Sequence, residues 1–150
     1  MRLYGELAKL EAAGARAALC GLGFSEVMTL VLTCPEEHDF AMGRTEVTPA
    51  VTVAHPVSSE QSMLRTSMLP GLLATFEHNI TRTLPQRIFE VGDVTLPDES
   101  APTGAIEQRR LACGMVAVRV GFEEAKALAE AILREFGRPW KLSEHRGAPE

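Results

Sequence analysis

An α+β domain, an antiparallel sheet flanked by helices, is the fold class this 150-residue sequence predicts. Two strand-like runs, QRIFEVGDVTL (86–96) and RRLACGMVAVRV (109–120), follow one another with no room for a crossover helix between them, so their pairing is antiparallel. Helical periodicity instead marks the two ends of the chain and its middle, over 3–20, 68–80 and 121–137. The order helix, strand, strand, helix, strand, strand, helix keeps the helices on one side of the sheet.

Taken in order, Leu3, Leu7, Leu10, Ala13 and Ala17 fall three or four apart, with Glu6, Lys9, Glu11 and Arg16 between them. This is an amphipathic helix, weakened by Gly14 and closed by Gly21 or Gly23. FSEVMTLVLT (24–33) is rich in Val, Thr and Leu and reads as a strand ending before Pro35. Residues 35–45 are polar and read as a loop. EVTPAVTVAHPV (46–57) is β-branched but holds Pro49, which confines it to an edge strand or two short pieces.

Thr66 or Ser67 caps the middle helix, and Pro70 sits in its first turn, where a missing N–H costs little. Leu69, Leu72, Leu73, Phe76 and Ile80 line one face, and Asn79 stops it. Residues 97–105 form a loop of Pro, Asp, Glu, Ser and Gly. In the last helix Glu123 and Glu124 sit at the positive end of the dipole, Gly137 closes it and Pro139 follows. The polar end KLSEHRGAPE reads as a tail, or as the start of a further segment of a longer chain.

Length and composition fit one folded domain: 45% apolar and 23% charged residues, net charge −5 and pI near 5.4. An acidic chain is a poor match for a phosphate backbone. No apolar run reaches membrane-spanning length, and the N-terminus carries no signal-peptide pattern. Cys20, Cys34 and Cys113 form no close pair, which points to reduced thiols in a cytoplasmic protein.

Chemistry-bearing motifs are sparse. His38, His55, His78 and His145 and the three cysteines lack the spacings of metal sites. GLGF (21–24) precedes a strand, whereas a phosphate loop opens a helix. Cys34 reads as a buried, neutral thiol, because no histidine pattern supports a nucleophile. Glu36 and Glu37 read as a solvated face, the methionines as core filler, and Trp140 as a packing anchor or a patch for a partner.

Arg65, in HPVSSEQSMLRTSMLPGLL (55–73), is the residue that stands out. It precedes a helix instead of lying on its polar face, so its guanidinium can pair with Glu60 or Glu90, or fork onto backbone carbonyls. Residue chemistry favours a structural joint of Arg65, Thr66, Ser67 and Pro70 over a ligand contact.

LRTSMLPGLLATFEHN followed by LPQRIFEVGDV closely resembles the catalytic-like domain of the phenylalanyl-tRNA synthetase β subunit, archaeal and eukaryotic type. GLGFSEVMTLVLT and VGFEEAKALAEAILREFG are similar to further parts of that family, in order from about residue 5 to 140. His55 stands where the family has Asn. The resemblance implies a class II synthetase-like fold and a degenerate module that pairs with a catalytic α subunit. It also implies no cofactor in this domain, with ATP and magnesium used by the whole ligase and tRNA met only through the complex. Catalytic class II domains carry an arginine on the strand equivalent to 86–96, and Leu96 stands roughly there. A leucine cannot stabilise charge developing on a phosphate. The subunit interface is expected on the first helix and the strand after it, through Leu3, Leu7, Leu10, Ala17, Phe24, Val27 and Leu30, with self-association of the isolated chain. The competing readings are a stand-alone paralogue binding an amino acid or adenylate, and a small independent amino-acid-activating enzyme.

Overall fold

The computed structural model describes residues 12–119 and 121–135. They run in the order α1 (Ala12–Gly21), β1 (Ser25–Glu26), β2 (Leu32–Thr33), α2 (Pro35–His38), β3 (Met63–Leu64), α3 (Leu69–His78), β4 (Gln86–Pro97), β5 (Ala105–Val116) and α4 (Phe122–Glu135). Leu3, Leu7, Leu10, Trp140 and His145 lie outside the described residues.

The β4–β5 hairpin is the frame. Its register runs from Gln86 opposite Val116 to Pro97 opposite Ala105, antiparallel throughout. The turn at 98–104 is built by Asp98, whose Oδ1 accepts from the Ser100 N–H at 2.9 Å. Gly104 ends it at φ +72°, a conformation that favours glycine. The expected antiparallel pairing holds for β4–β5, and the short β1 adds a parallel pairing to β4 through Ser25–Ile88 and Glu26–Phe89. Nearly sixty residues separate these two strands, enough for a crossover.

Helices cover both faces of the hairpin, not one. Cross-strand partners share a face, so Phe89 and Cys113 lie together with Val91 and Leu111. On that side α1 and α4 bring Ala15, Leu19 and Ile132 onto Phe24, Phe89 and Val91 to form the core. On the opposite side α3 approaches so closely that a Cβ on Gly114 would lie 2.9 Å from the Phe76 ring. The first helix therefore turns Ala15 and Leu19 inward and leaves Ala17, one of the expected interface residues, exposed.

The strand expected over 24–33 is broken in two. After β1, the Val27 N–H still donates to Phe89 O at 2.8 Å, but the chain then leaves the main sheet. It re-enters a second, antiparallel ladder at β2, whose Leu32 and Thr33 face Leu64 and Met63 of β3. Residues 46–57 add to this ladder only the bridge Thr52–Met63, in keeping with short pieces.

The loop expected over 35–45 contains α2 and a 3₁₀ turn at Phe40–Met42, closed by Gly43 at φ +75°. Pro35 opens α2, and Glu36 and Glu37 stand exposed at its positive end. Helix α3 carries Pro70 in its first turn and ends at Asn79. Of its expected apolar face, Leu72 is buried while Leu73 and Ile80 are exposed.

Candidate functional site

Arg65 follows β3 directly, and its backbone ties the two ladders together. Its N–H donates to Val31 O at 2.9 Å, and its carbonyl accepts from the Thr95 N–H at 3.0 Å. The side chain enters the interior, leaving the residue 4% exposed. There Nη1 pairs with Glu90 Oε1 at 2.8 Å and donates to Thr29 Oγ1 at 2.8 Å. Nε donates to Asp93 O at 3.0 Å. The Thr29 hydroxyl in turn donates to Glu90 Oε2 at 2.6 Å, closing a ring of three side chains. Of the two expected partner glutamates, Glu90 takes the charge and Glu60 stays exposed at the surface.

Two glycines make room for this ring. A Cβ on Gly92 would lie 2.5 Å from Arg65 Nη2, and one on Gly71 would lie 2.7 Å from Thr29 Oγ1. The strand and the helix α3 can thus close on the guanidinium only where side chains are missing. Thr29 also explains the broken strand, since its capture by Arg65 and Glu90 pulls residues 28–30 out of register with β1. No buried side-chain nitrogen or oxygen among the described residues lacks a partner.

A second polar cluster seats the α2 segment against the β3–α3 junction. His38 and Asp39 are almost completely buried. His38 Nε2 lies 2.8 Å from Thr66 Oγ1, while Ser67 Oγ accepts from the Leu69 N–H at 3.2 Å. Asp39 Oδ1 accepts from Arg44 Nη1 at 2.7 Å and from Thr48 Oγ1 at 2.5 Å. Its Oδ2 accepts from the Thr48 N–H at 3.1 Å. Burial acts to raise the Asp39 carboxyl, but the hydrogen bonds from Thr48 and Arg44 outweigh it and hold the group below the usual carboxylate range. Burial pushes His38 below the ordinary histidine value, with Asp39 opposing and Arg44 reinforcing the shift. Sequence reasoning missed this cluster, although Pro35 ahead of two glutamates was a legible helix start.

Beside the joint runs a groove of about 610 Å³, lined in part by Met28, Leu30, Leu73, Glu37, Glu60 and Glu77. Met28 is 95% and Leu30 73% exposed. Of the expected interface residues, Leu30 lies in this groove and Val27 is half-buried. Phe24 is 5% exposed and belongs to the chain's own core, so it offers nothing to a partner. The period-two face assumed for this stretch does not exist, because 24–33 is not one strand.

Leu96 sits half-buried on β4 opposite Ile106, and His55 is exposed. Burial raises the Cys113 thiol to about 11 and also raises Cys34, so both are neutral near pH 7. Among the described residues no three His, Cys, Asp or Glu side chains gather to hold a metal ion. None of the described helices is long and apolar enough to cross a membrane.

Comparison with known proteins places this geometry. The fold is class II synthetase-like: the chain superposes on the pyrrolysyl tRNA synthetase of Desulfitobacterium hafniense with a TM-score of 0.59 at 17% identity, over 89% of this chain and 49% of that one. The phenylalanine–tRNA ligase β subunit of Methanopyrus kandleri is 38% identical over 132 residues, which are 87% of this chain and 22% of the relative. That of Korarchaeum cryptofilum is 38% identical over 134 residues, 89% of this chain and 24% of the relative. The chain thus spans about a quarter of the length of these curated relatives. The family model of the phenylalanyl tRNA synthetase beta chain CLM domain matches residues 6–148, and the chain belongs to that family.

Proposed function

We propose that this chain is the non-catalytic class II-like module of a phenylalanine–tRNA ligase β subunit, and that it scaffolds the catalytic α subunit. The observation that carries this reading is Leu96. It lies on β4 within the family match, and by the resemblance it stands roughly where a catalytic relative carries an arginine to stabilise charge on the ATP α-phosphate. ATP and magnesium then serve the whole ligase at the α subunit, and tRNA meets this module only through the complex, in the cytoplasm. The closed ring of Arg65, Thr29 and Glu90 supports a structural joint, because an anionic ligand would have to displace Glu90 from a buried ion pair. The exposed Met28 and Leu30 support the linker after β1 as part of the subunit interface.

The test is amino-acid-dependent ATP–pyrophosphate exchange, measured on the chain alone and after co-expression with a phenylalanine–tRNA ligase α subunit from an archaeal relative. The chain alone should show none, and the α subunit should co-purify with it. Phenylalanine-dependent exchange in α-free protein would replace this reading with an independent amino-acid-activating enzyme.

A further inference from the structure

On the face of the hairpin covered by α4, away from the Arg65 joint, lies a cavity of about 500 Å³. Met115 of β5 lines it beside Arg87, its cross-strand partner on β4. Leu128 of α4 and Leu84 form walls, and Val118 and Arg119 also line it. Leu84 is 43% and Val118 84% exposed, so apolar surface faces water at this opening.

Arg16, Arg44, Arg65 and Arg109 each meet a carboxylate. Among the described residues Arg87 and Arg119 do not. The Arg87 Nε donates to Met115 Sδ at 3.3 Å, a weak acceptor that holds the side chain along the sheet and leaves its charge unmatched. The single carboxylate in the lining is Glu124, whose Oε2 accepts from the Gly121 N–H at 3.2 Å.

Two guanidinium groups beside an apolar hollow suit a guest that is acidic at one point and apolar at the next. The planar fork of Arg takes a carboxylate through two hydrogen bonds, and Met115 and Leu128 offer area for an aliphatic or aromatic body. A phosphodiester chain fits worse. No aromatic side chain lines the cavity to stack a base, and the chain as a whole carries −5. We propose that this cavity is a docking site for a partner-protein segment that presents a carboxylate next to an apolar side chain.

Fluorescence anisotropy on the full chain tests this with three probes: a labelled twelve-residue peptide alternating Leu and Glu, the same peptide with Gln for Glu, and a twelve-nucleotide oligouridylate. The acidic peptide should bind saturably, with the Gln peptide weaker by about tenfold or more, the scale of a charge-assisted contact. Arg119→Gln, at an exposed position that leaves folding intact, should weaken the acidic peptide about fivefold. Val118→Asp, which places a carboxylate beside the arginines, should weaken it likewise; circular dichroism checks that both variants are folded. No binding of the acidic peptide, or equal binding of the Gln peptide, overturns the proposal. So does binding that Arg119→Gln and Val118→Asp leave unchanged. Tighter binding of oligouridylate, lost in Arg119→Gln, would also overturn it by assigning the arginines to phosphate.

Discussion

Arg65 concentrates an unusual share of the fold's electrostatics in one side chain. Its guanidinium is almost fully buried, and so is the Glu90 carboxylate it meets. Removing one member of a buried pair costs more than the pair contributes, because the other charge is left desolvated and unmatched. Arg65→Ala should therefore lower stability by about 3–5 kcal/mol, read from the midpoint of urea denaturation. In Arg65→Met with Glu90→Gln, no bare charge remains, so most of that loss should be regained. If the double variant is as unstable as Arg65→Ala, the ion pair is not what holds the joint. Arg65 was conspicuous in the sequence because a lone arginine preceded a capped helix. Its partner was not, since Glu60 and Glu90 are equivalent as residues and only the strand's path separates them. Gly92 carries the missing information: a glycine beside Glu90 on a central strand signals close approach of another group.

At the scale of elements, local chemistry and tertiary capture divide the fold between them. β4, α3 and α4 form where their periodicity, prolines and acidic first turns place them, because those signals act within one element, whereas β5 runs over Ala105–Val116, four residues ahead of the expected 109–120, because it pairs along the whole of β4. The run 24–33 has strand chemistry throughout, yet it splits because Thr29 is held by groups thirty-six and sixty-one residues away. The α2 segment stays in place through His38 and Asp39, polar residues whose burial no local pattern announces. Both groups titrate below their ordinary values in the folded chain. A group with a depressed folded value contributes stability above its unfolded value and loses it as pH falls toward the folded one. His38 should thus begin to weaken the fold as pH drops below about 6.5, and Asp39 only below about 4. Urea midpoints at pH 7.5, 5.0 and 3.5 check this. His38→Gln should flatten the change between pH 7.5 and 5.0, and Asp39→Asn the change below it. A decline between pH 7.5 and 5.0 that His38→Gln leaves untouched would place the acid-sensitive group elsewhere.

For the whole molecule the question is what covers the groove beside the joint. Met28, Leu30 and Leu73 expose apolar surface there, while Glu37, Glu60 and Glu77 line the same groove with negative charge. Apolar burial favours any partner with a complementary surface, and in the isolated chain a second copy is the partner at hand. Two copies meeting through this groove would also bring their glutamates together, so attraction and repulsion oppose each other. The homodimer should be weak at low salt and tighten as salt screens the carboxylates, the reverse of an interface held by ion pairs. A catalytic α subunit with basic residues around its contact would meet the same rim favourably and should displace the second copy. The outer edge of β5 offers a competing route, because among the described residues β5 pairs only with β4. The two routes differ in their response to mutation: Met28→Glu with Leu30→Glu should dissociate a groove dimer and leave edge pairing intact. Sedimentation velocity at micromolar concentration, in 50 and 500 mM salt, should show more dimer at the higher salt for the parent chain and monomer for the double variant. A parent chain that stays monomeric under both conditions would remove the homodimer, and a dimer that survives the double substitution would move it to the β5 edge.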